Sequence, residues 1–376
     1  MNDVYDAVVI GGGIAGTAAG YYLAKARLRV LLLEKSFLAS GSTGRCIGGI
    51  RQQFSTPTTI QTMKESVRLF STMHEELGVD VEWKNSGYLF LAHSEEQAKL
   101  YRKNISLQKQ FGLDVEFISA EACKCIVPLL ETDDLIGGAW GPSDGQANPF
   151  LVVHAYVKNI RQLGGEVRTG EEVIGIRVVK GKARSVRTAS GNVYHAPMIL
   201  NAAGAWAKEV GAMAGVRLFV EPERHEALVT EGVEYLGVPM LVDYRPDGGY
   251  FVQRVTGQFI GCFTPKEKVA GHDHESTLEF LADMSRRMVR LMPALYDVAV
   301  LRQWAGSYCM TPDGIPMIGK TDVNGYYCIV GLCGHGFMLG PALGKYVAQF
   351  MTESTWPGPV DEFACSRSFG EKEKMA

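Results

Sequence analysis

Two glycine-rich turns stand near opposite ends of the chain. In the first, Gly11, Gly13 and Gly16 are spaced as GxGxxG around Ile14 and Ala15. Gly11 permits a tight turn, Gly13 lets the backbone approach a pyrophosphate, and Gly16 lets a helix pack on the preceding strand. The start of that helix offers unbonded N–H groups and the positive end of its dipole to phosphate oxygens. Glu34 follows 18 residues after Gly16, where a carboxylate accepts hydrogen bonds from ribose hydroxyls. Glu34-Lys35 speaks against a 2′-phosphate, so the pattern reads as a site for NAD or FAD. The second turn, GLCGHGFMLGPALG at 331–344, has five glycines in fourteen residues and no formal charge. NAD held by the first unit leaves such a distant turn unexplained. FAD is longer, and its isoalloxazine ring needs its own close backbone approach. Glycines 331, 334, 336 and 340 would allow it. A helix starting near Phe337 to Pro341 would aim N–H groups at the ring edge where negative charge develops on reduction.

These residues must be positioned by regular elements. YDAVVI at 5–10 reads as a strand, the residues through Leu23 as a helix, and RVLLLE at 29–34 as a second strand, which together make a βαβ unit. Pro57 suits the first position of a helix whose apolar face carries Ile60, Met63, Val67, Phe70 and Leu77, with Gly78 as its stop. Residues 86–92 read as a strand, and Ser94 with Gln97 has capping-box spacing for a helix ending near Gly112. Residues 164–179 suggest strands returning to the first sheet, and MILNAAG at 198–204 a strand ending in a small-residue turn. From about 217 to 300 the texture changes to antiparallel strands such as GGYFVQR and GQFIGCF, with one helix over 275–292. The predicted fold is α/β. A discontinuous Rossmann-type FAD-binding unit covers 1–80, 145–215 and 300–376. An inserted α+β substrate-binding unit on a mixed or antiparallel sheet covers 81–144 and 216–299.

Composition sets outer limits. Hydrophobic residues make up 46% of the 376 and the net charge is −3, so no basic excess points to nucleic acid. A strand-like run beginning at Tyr5 leaves no room for a signal peptide, and a cytoplasmic location is expected. The uncharged span 326–344 has membrane-helix length, but its glycines and Pro341 argue for strand, turn and helix instead. Eight scattered cysteines without paired CxxC motifs predict reduced thiols and no metal site. His272-Asp-His274 reads as a solvated polar loop.

Five motifs in order resemble one family over nearly the whole chain: VVIGGGIAG with Glu34, GSTGRCIGGIRQQF at 41–54, LNAAGAWA at 200–207, WAGSYCMTPDGIPMIG at 304–319, and GLCGHGFMLGPALG at 331–344. The chain resembles the FAD-dependent D-amino-acid oxidase/glycine oxidase/sarcosine oxidase superfamily, and within it the β subunits of dye-linked L-proline dehydrogenase and of sarcosine oxidase-like complexes. The resemblance implies oxidation of an amino acid C–N bond by hydride transfer to flavin N5. It implies that Gly11, Gly13, Gly16, Glu34 and Lys35 hold the ADP part. Ser42, Thr43, Gly48, Gly49 and Ile50 would line the pyrophosphate and ring, and Val173 would meet adenine through its backbone. Ala203, Gly204 and Trp206 would flank the cofactor, with Gly306, Gly334, Gly336, Phe337 and Met338 around the flavin.

Arg51 matches the family's substrate arginine, whose two parallel donors fix a carboxylate. Tyr250 either presents its phenol to the substrate or fills the sheet as a core aromatic. His335 either acts at the substrate or orients its loop, and the same choice holds for His225. Trp304 is a candidate wall of the site or a core residue. Two departures from the pattern matter. Gly306 occupies the place where monomeric sarcosine oxidases tether FAD through cysteine, with Cys309 offset by three, so non-covalent FAD is expected. Met338 replaces a lysine that assists carboxylate binding, and GQFIGCF lacks the lysine that promotes reaction with oxygen. These losses favour a dehydrogenase for a secondary or imino acid (proline, hydroxyproline, sarcosine or an opine). It would serve as catalytic subunit of a complex and pass electrons to a partner subunit or carrier, or to a second flavin such as FMN at a subunit interface. An oxidase releasing hydrogen peroxide, and a flavin-holding electron-transfer subunit without amine chemistry, are the alternatives.

Overall fold

The strand Ala7–Ile10 has every residue apolar and buried, as expected at the centre of a parallel sheet covered on both faces. In the computed structural model, which describes residues 4–358 and 360–370, it lies inside a six-stranded sheet. The order across that sheet is Met317–Lys320, Tyr326–Val330, Met198–Asn201, Ala7–Ile10, Val30–Glu34 and Glu166–Thr169. All neighbours are parallel except Met317–Lys320, which runs antiparallel to Tyr326–Val330. The sequence stretches that build this sheet are thus separated by long insertions.

The expected strands at 164–179 divide. Glu166–Thr169 joins this sheet, whereas Val173–Val179 pairs with Lys182–Thr188 in a separate three-stranded antiparallel sheet. Only the first half therefore returns to the dinucleotide sheet. The second half turns away after Gly170, which has a φ of +70°.

A larger, eight-stranded sheet faces the first. Its order is Val300–Met310, Glu221–Gly232, Gln258–Cys262, Tyr250–Gln253, Met240–Asp243, Tyr88–Ala92, Gly137–Gly141 and Glu116–Ser119. One junction, Met240–Asp243 beside Tyr88–Ala92, is parallel and the rest are antiparallel. The strand Val300–Met310 falls in a stretch expected to belong with the dinucleotide sheet, yet it pairs along Glu221–Gly232 in the larger one.

Three helices carry the connection. Ile14–Lys25 follows the first strand directly. Pro57–Leu77 starts on proline and stops at Gly78 with a φ of 62°, as its sequence signals require. Gly336–Glu353 crosses Ile14–Lys25 closely: a Cβ on Gly340 would lie 2.6 Å from Ile14 Cγ1, and one on Gly344 2.6 Å from Ala18 Cβ. Gly340 thus serves helix packing. It does not face the cofactor space, contrary to the expectation from sequence, because it lies a full turn inside the helix. Ser94 caps Glu95–Gln110 by accepting the Gln97 N–H at 3.2 Å. Among the described residues no helix is long and apolar enough to cross a membrane.

Candidate active site

The carboxyl ends of the parallel strands open on a cavity of about 800 Å³, roofed by the larger sheet. Ile10 and Leu33 reach it from the small sheet, and Tyr250, Cys262 and Tyr308 from the large one. The crevice beyond the carboxyl ends is where open α/β sheets place their ligands.

At one end the fingerprint turn is assembled as its glycines dictate. Gly11 has a φ of +115°, and a Cβ there would enter the Ala202 carbonyl. The Glu34 carboxylate accepts the N–H of Gly12 at 2.7 Å and that of Ser36 at 2.8 Å, which seats it beside the turn. Thr43 Oγ1 accepts the Ile14 N–H at 3.0 Å, so the first N–H of the helix is already used. Gly13 itself supplies no side-chain cap, leaving the next groups of that turn open to the cavity. Lys35 Nζ lies 3.3 Å over the Trp206 ring, and His272 stacks on Trp206 at 5.0 Å. The His272–His274 loop keeps His272 and Asp273 exposed, as read from sequence, while it also packs at the edge of the site, with His274 Nε2 2.8 Å from Ser307 Oγ.

At the other end, the strand Tyr326–Val330 leads into the second glycine turn and the helix Gly336–Glu353, which starts without a side-chain cap. Gly334 has a φ of +79°, and its missing Cβ makes room for the Tyr308 ring. Tyr308 Oη lies 2.9 Å from Tyr250 Oη, and its ring stacks on His225 with centroids 3.7 Å apart. Burial raises both phenol pKa values far above neutrality. Burial also pushes His225 down to about 4 and His335 to about 3, the latter helped by Arg51. His335 is thus neutral. Arg51 Nη2 lies 3.1 Å from His335 Nε2, and arginine can only donate, so Nε2 accepts and Nδ1 carries the hydrogen.

Arg51 is 2% exposed. Its Nη1 donates to Gln53 O at 3.1 Å, and its guanidinium lies over Phe54 at 4.3 Å and Phe90 at 5.2 Å. The chain just after it is pinned by Asp144, which accepts from Gln52 N at 2.8 Å and Gln53 Nε2 at 3.1 Å. Burial lifts Asp144 to about 6.

Of the residues read from the sequence, Gly11, Gly13, Ile14, Ala15, Glu34, Lys35, Ser42, Thr43, Gly48 and Gly49 line this one cavity. So do Arg51, Val173, Ala203, Gly204, Trp206, Tyr250, Gly306, Gly334, His335, Gly336, Phe337 and Met338. Gly16 and Ile50 do not. Gly16 packs its helix on Gly11, and Ile50 is wholly buried with its side chain in the core. Tyr250 both lines the cavity and bonds Tyr308. Trp304 instead holds the backbone of Arg45 through Nε1, 2.8 Å from its carbonyl. Sequence reasoning missed Tyr308 and Asp144. The YCM of the 304–319 motif and the SDGQANP loop were the only signals for them.

The residues fit FAD. Two turns whose helices start without side-chain caps both line one cavity, and the glycines at 306 and 334 let Arg45 and the Tyr308 ring close against the backbone there. The FAD-dependent oxidoreductase family (DAO) matches residues 6–350. The chain belongs to this family. As an FAD-dependent oxidoreductase it is 30% identical to the sarcosine oxidase β subunit of Rhizobium meliloti (strain 1021), over 92% of this chain and 84% of that one. The crystal structure of L-proline dehydrogenase from P. horikoshii superposes with a TM-score of 0.93 at 36% identity, covering 98% of each chain. Glycine oxidase from Geobacillus kaustophilus shares the fold, with a TM-score of 0.90 at 24% identity over 98% of this chain and 100% of that one.

The buried histidines make a prediction about this oxidoreductase. His225 Nδ1 has no hydrogen-bond partner among the described residues. With the folded pKa near 4 against 6.5 when unfolded, the unfolded chain binds the extra proton between those values. Stability is therefore lost as pH falls from about 6.5 toward about 4. His225→Asn is expected to remove that part of the slope. Urea midpoints of parent and variant should diverge on acidification, and parallel midpoints would show His225 to be charged in the fold.

Proposed function

We propose that the chain is an FAD-dependent amino acid dehydrogenase that oxidises the C–N bond of a secondary or imino acid and passes the electrons to a partner subunit or carrier. The observation that carries this reading is Arg51. It is a guanidinium buried at the cavity wall, beside a neutral histidine and near enough to Asp144 to favour its charged form. Its planar fork at the cavity wall offers parallel donors that fix both the charge and the orientation of an α-carboxylate.

FAD bound between the two turns supplies a two-electron acceptor for the hydride that leaves the carbon beside the amine. Glu34 would hold the ribose and the helix start at Gly336–Met338 the ring edge. Arg51 would fix the carboxylate and so the position of the α-carbon. The Tyr250–Tyr308 pair stays protonated at neutral pH, so it donates hydrogen bonds to the substrate and does not act as a base. The two relatives named for sarcosine and proline act on secondary amines, which supports that substrate class.

Two observations support a dehydrogenase over an oxidase. Met338, at the family's lysine position, is buried. Lys268, at the cavity rim, is largely exposed and paired with Glu223 at 2.8 Å. Non-covalent binding is supported at Gly306, where even a Cβ would lie 2.8 Å from Arg45 Cβ. The protein is expected to purify yellow and to release all its flavin as free FAD on denaturation. Without oxygen, its flavin band should bleach with proline, sarcosine or a related secondary amino acid. In air, little peroxide should form, and an added dye should be reduced in its place. Absence of bleaching by any amino acid would end the reading, and rapid stoichiometric peroxide would make the enzyme an oxidase.

A further inference from the structure

The turn at 331–335 has two duties in the reading above. It leads into the helix start at Gly336, and its His335 seats Arg51. Its backbone is not one that a chain adopts unaided. Cys333, which has a Cβ, sits at a φ of 48°, between Gly331 at 66° and Gly334 at 79°. A left-handed non-glycine residue persists only where its surroundings fix it.

The groups that fix it form a chain of contacts. The Cys333 N–H donates to Cys309 O at 3.1 Å. Cys333 Sγ accepts the Thr311 N–H at 3.3 Å and lies 3.2 Å from Thr311 Oγ1. Thr311 Oγ1 in turn lies 3.1 Å from Asp313 Oδ1 and 2.8 Å from Ile315 O. Asp313 is buried, and its partner comes from the far end of the described chain. Arg367 Nη2 donates to Asp313 Oδ1 at 2.9 Å, and Nε to Oδ2 at 3.1 Å. The same guanidinium donates to Ile315 O at 2.7 Å and Pro316 O at 2.9 Å. The two side chains are 8% and 1% exposed, so solvent screens this pair little. Thr311 and Asp313 line the cavity, and Arg367 does not.

We propose that Arg367 is a positioning residue for the flavin-facing turn: from the C-terminal segment it sets Asp313 and Thr311, which hold Cys333, and with it Gly334, His335 and the helix start. The inference rests on reading 331–338 as the ring-facing turn. With Ala364 O at 3.3 Å, five acceptors converge on one planar fork, a pattern that lysine cannot reproduce. The segment around Arg367 is thus part of how the active site is built, although it touches neither cofactor nor substrate.

The test reads the flavin itself in the FAD-loaded protein, with a chemical reductant, so it stands whichever amino acid is the substrate. In R367M the two-electron midpoint potential is expected to move to a more negative value. The helix N–H groups would then meet the reduced ring less well, and the visible circular dichroism of the flavin should change. Turnover should fall about tenfold or more, since small misplacements are costly to catalysis. R367K keeps a charge on Asp313, and hence the fold, and should show the same two flavin shifts at smaller size. Parent potential and parent dichroism in both variants would overturn the proposal. So would a lowered melting temperature with an unchanged flavin, because the segment would then act on stability alone.

Discussion

Arg51→Met is expected to lower kcat/KM for an amino acid roughly a hundredfold or more while the protein still purifies with FAD. The size follows from what Arg51 does. Removing one partner of a desolvated, hydrogen-bonded charge pair costs about 2–5 kcal/mol, and about 1.4 kcal/mol is a factor of ten. Methionine keeps the stem that lies over Phe54 and Phe90, so the wall stays filled and the fold is disturbed little. It also frees His335 Nε2 of its donor, which leaves a neutral acceptor facing the cavity. Arg51→Lys should recover only part of the loss. An ammonium keeps the charge but not the parallel pair of donors that orients the α-carbon. Anaerobic stopped-flow reduction separates the effects: the apparent substrate Kd should rise, and the limiting rate should fall because orientation is lost. Full reduction rates in a flavin-loaded Arg51→Met protein would place the carboxylate elsewhere and remove the main support for an amino acid substrate.

The parts of this site that could be read from sequence are those whose geometry is local. Gly11, Gly13 and Glu34 lie within one βαβ unit, so spacing alone fixes how they meet. The contacts that complete the substrate end are not local. Arg51 and His335 are 284 residues apart, and Ser42 Oγ donates to Ser307 O across 265. Nothing in either local pattern announces the other partner. Tyr308 escaped notice for the same reason. Its place opposite His225 and Gly334 depends on the register that pairs Glu223 with Tyr308 in the larger sheet. Some misses did carry a local signal. Gly49–Ile50 is a two-residue strand, so adjacent side chains must point to opposite faces. Gly49 faces the cavity, and Ile50 accordingly goes to the core. Gly340 and Gly344 are four apart inside a helix, the spacing of a helix-crossing stripe, and they lie against Ile14 and Ala18. The glycine content of the C-terminal turn therefore has two causes, close approach at its start and helix packing further on.

Gly16→Ala is expected to abolish stable FAD retention, the largest effect at the cofactor end. A Cβ on Gly16 would fall inside contact with Gly11 O, 3.1 Å from Gly11 C and 3.3 Å from Val9 Cγ1. The obstacle is backbone, so no rotamer change relieves it. Either the helix Ile14–Lys25 lifts off the strand or the turn at Gly11 moves. Movement at Gly11 is blocked in its turn, because Gly11 lies directly against the Ala202 carbonyl at the end of Met198–Asn201. Lifting the helix separates Ile14 and Ala18 from Gly340 and Gly344, which loosens the helix that carries the second turn. Overpacking of this kind costs about 1–3 kcal/mol in stability. The cofactor is affected more, because both of its anchoring turns shift together. Gly12→Ala is the control. Its Cβ would meet Leu38 Cδ2 at 2.9 Å, which can give way, and Glu34 Cβ at 2.9 Å, which gives less, so a smaller loss of affinity is expected there without a backbone clash. Thermal midpoints and FAD titration by flavin fluorescence should rank parent, Gly12→Ala and Gly16→Ala in that order of decreasing affinity. Parent-like FAD affinity in Gly16→Ala would mean that the helix can shift without moving the phosphate site, and the two turns would then bind independently.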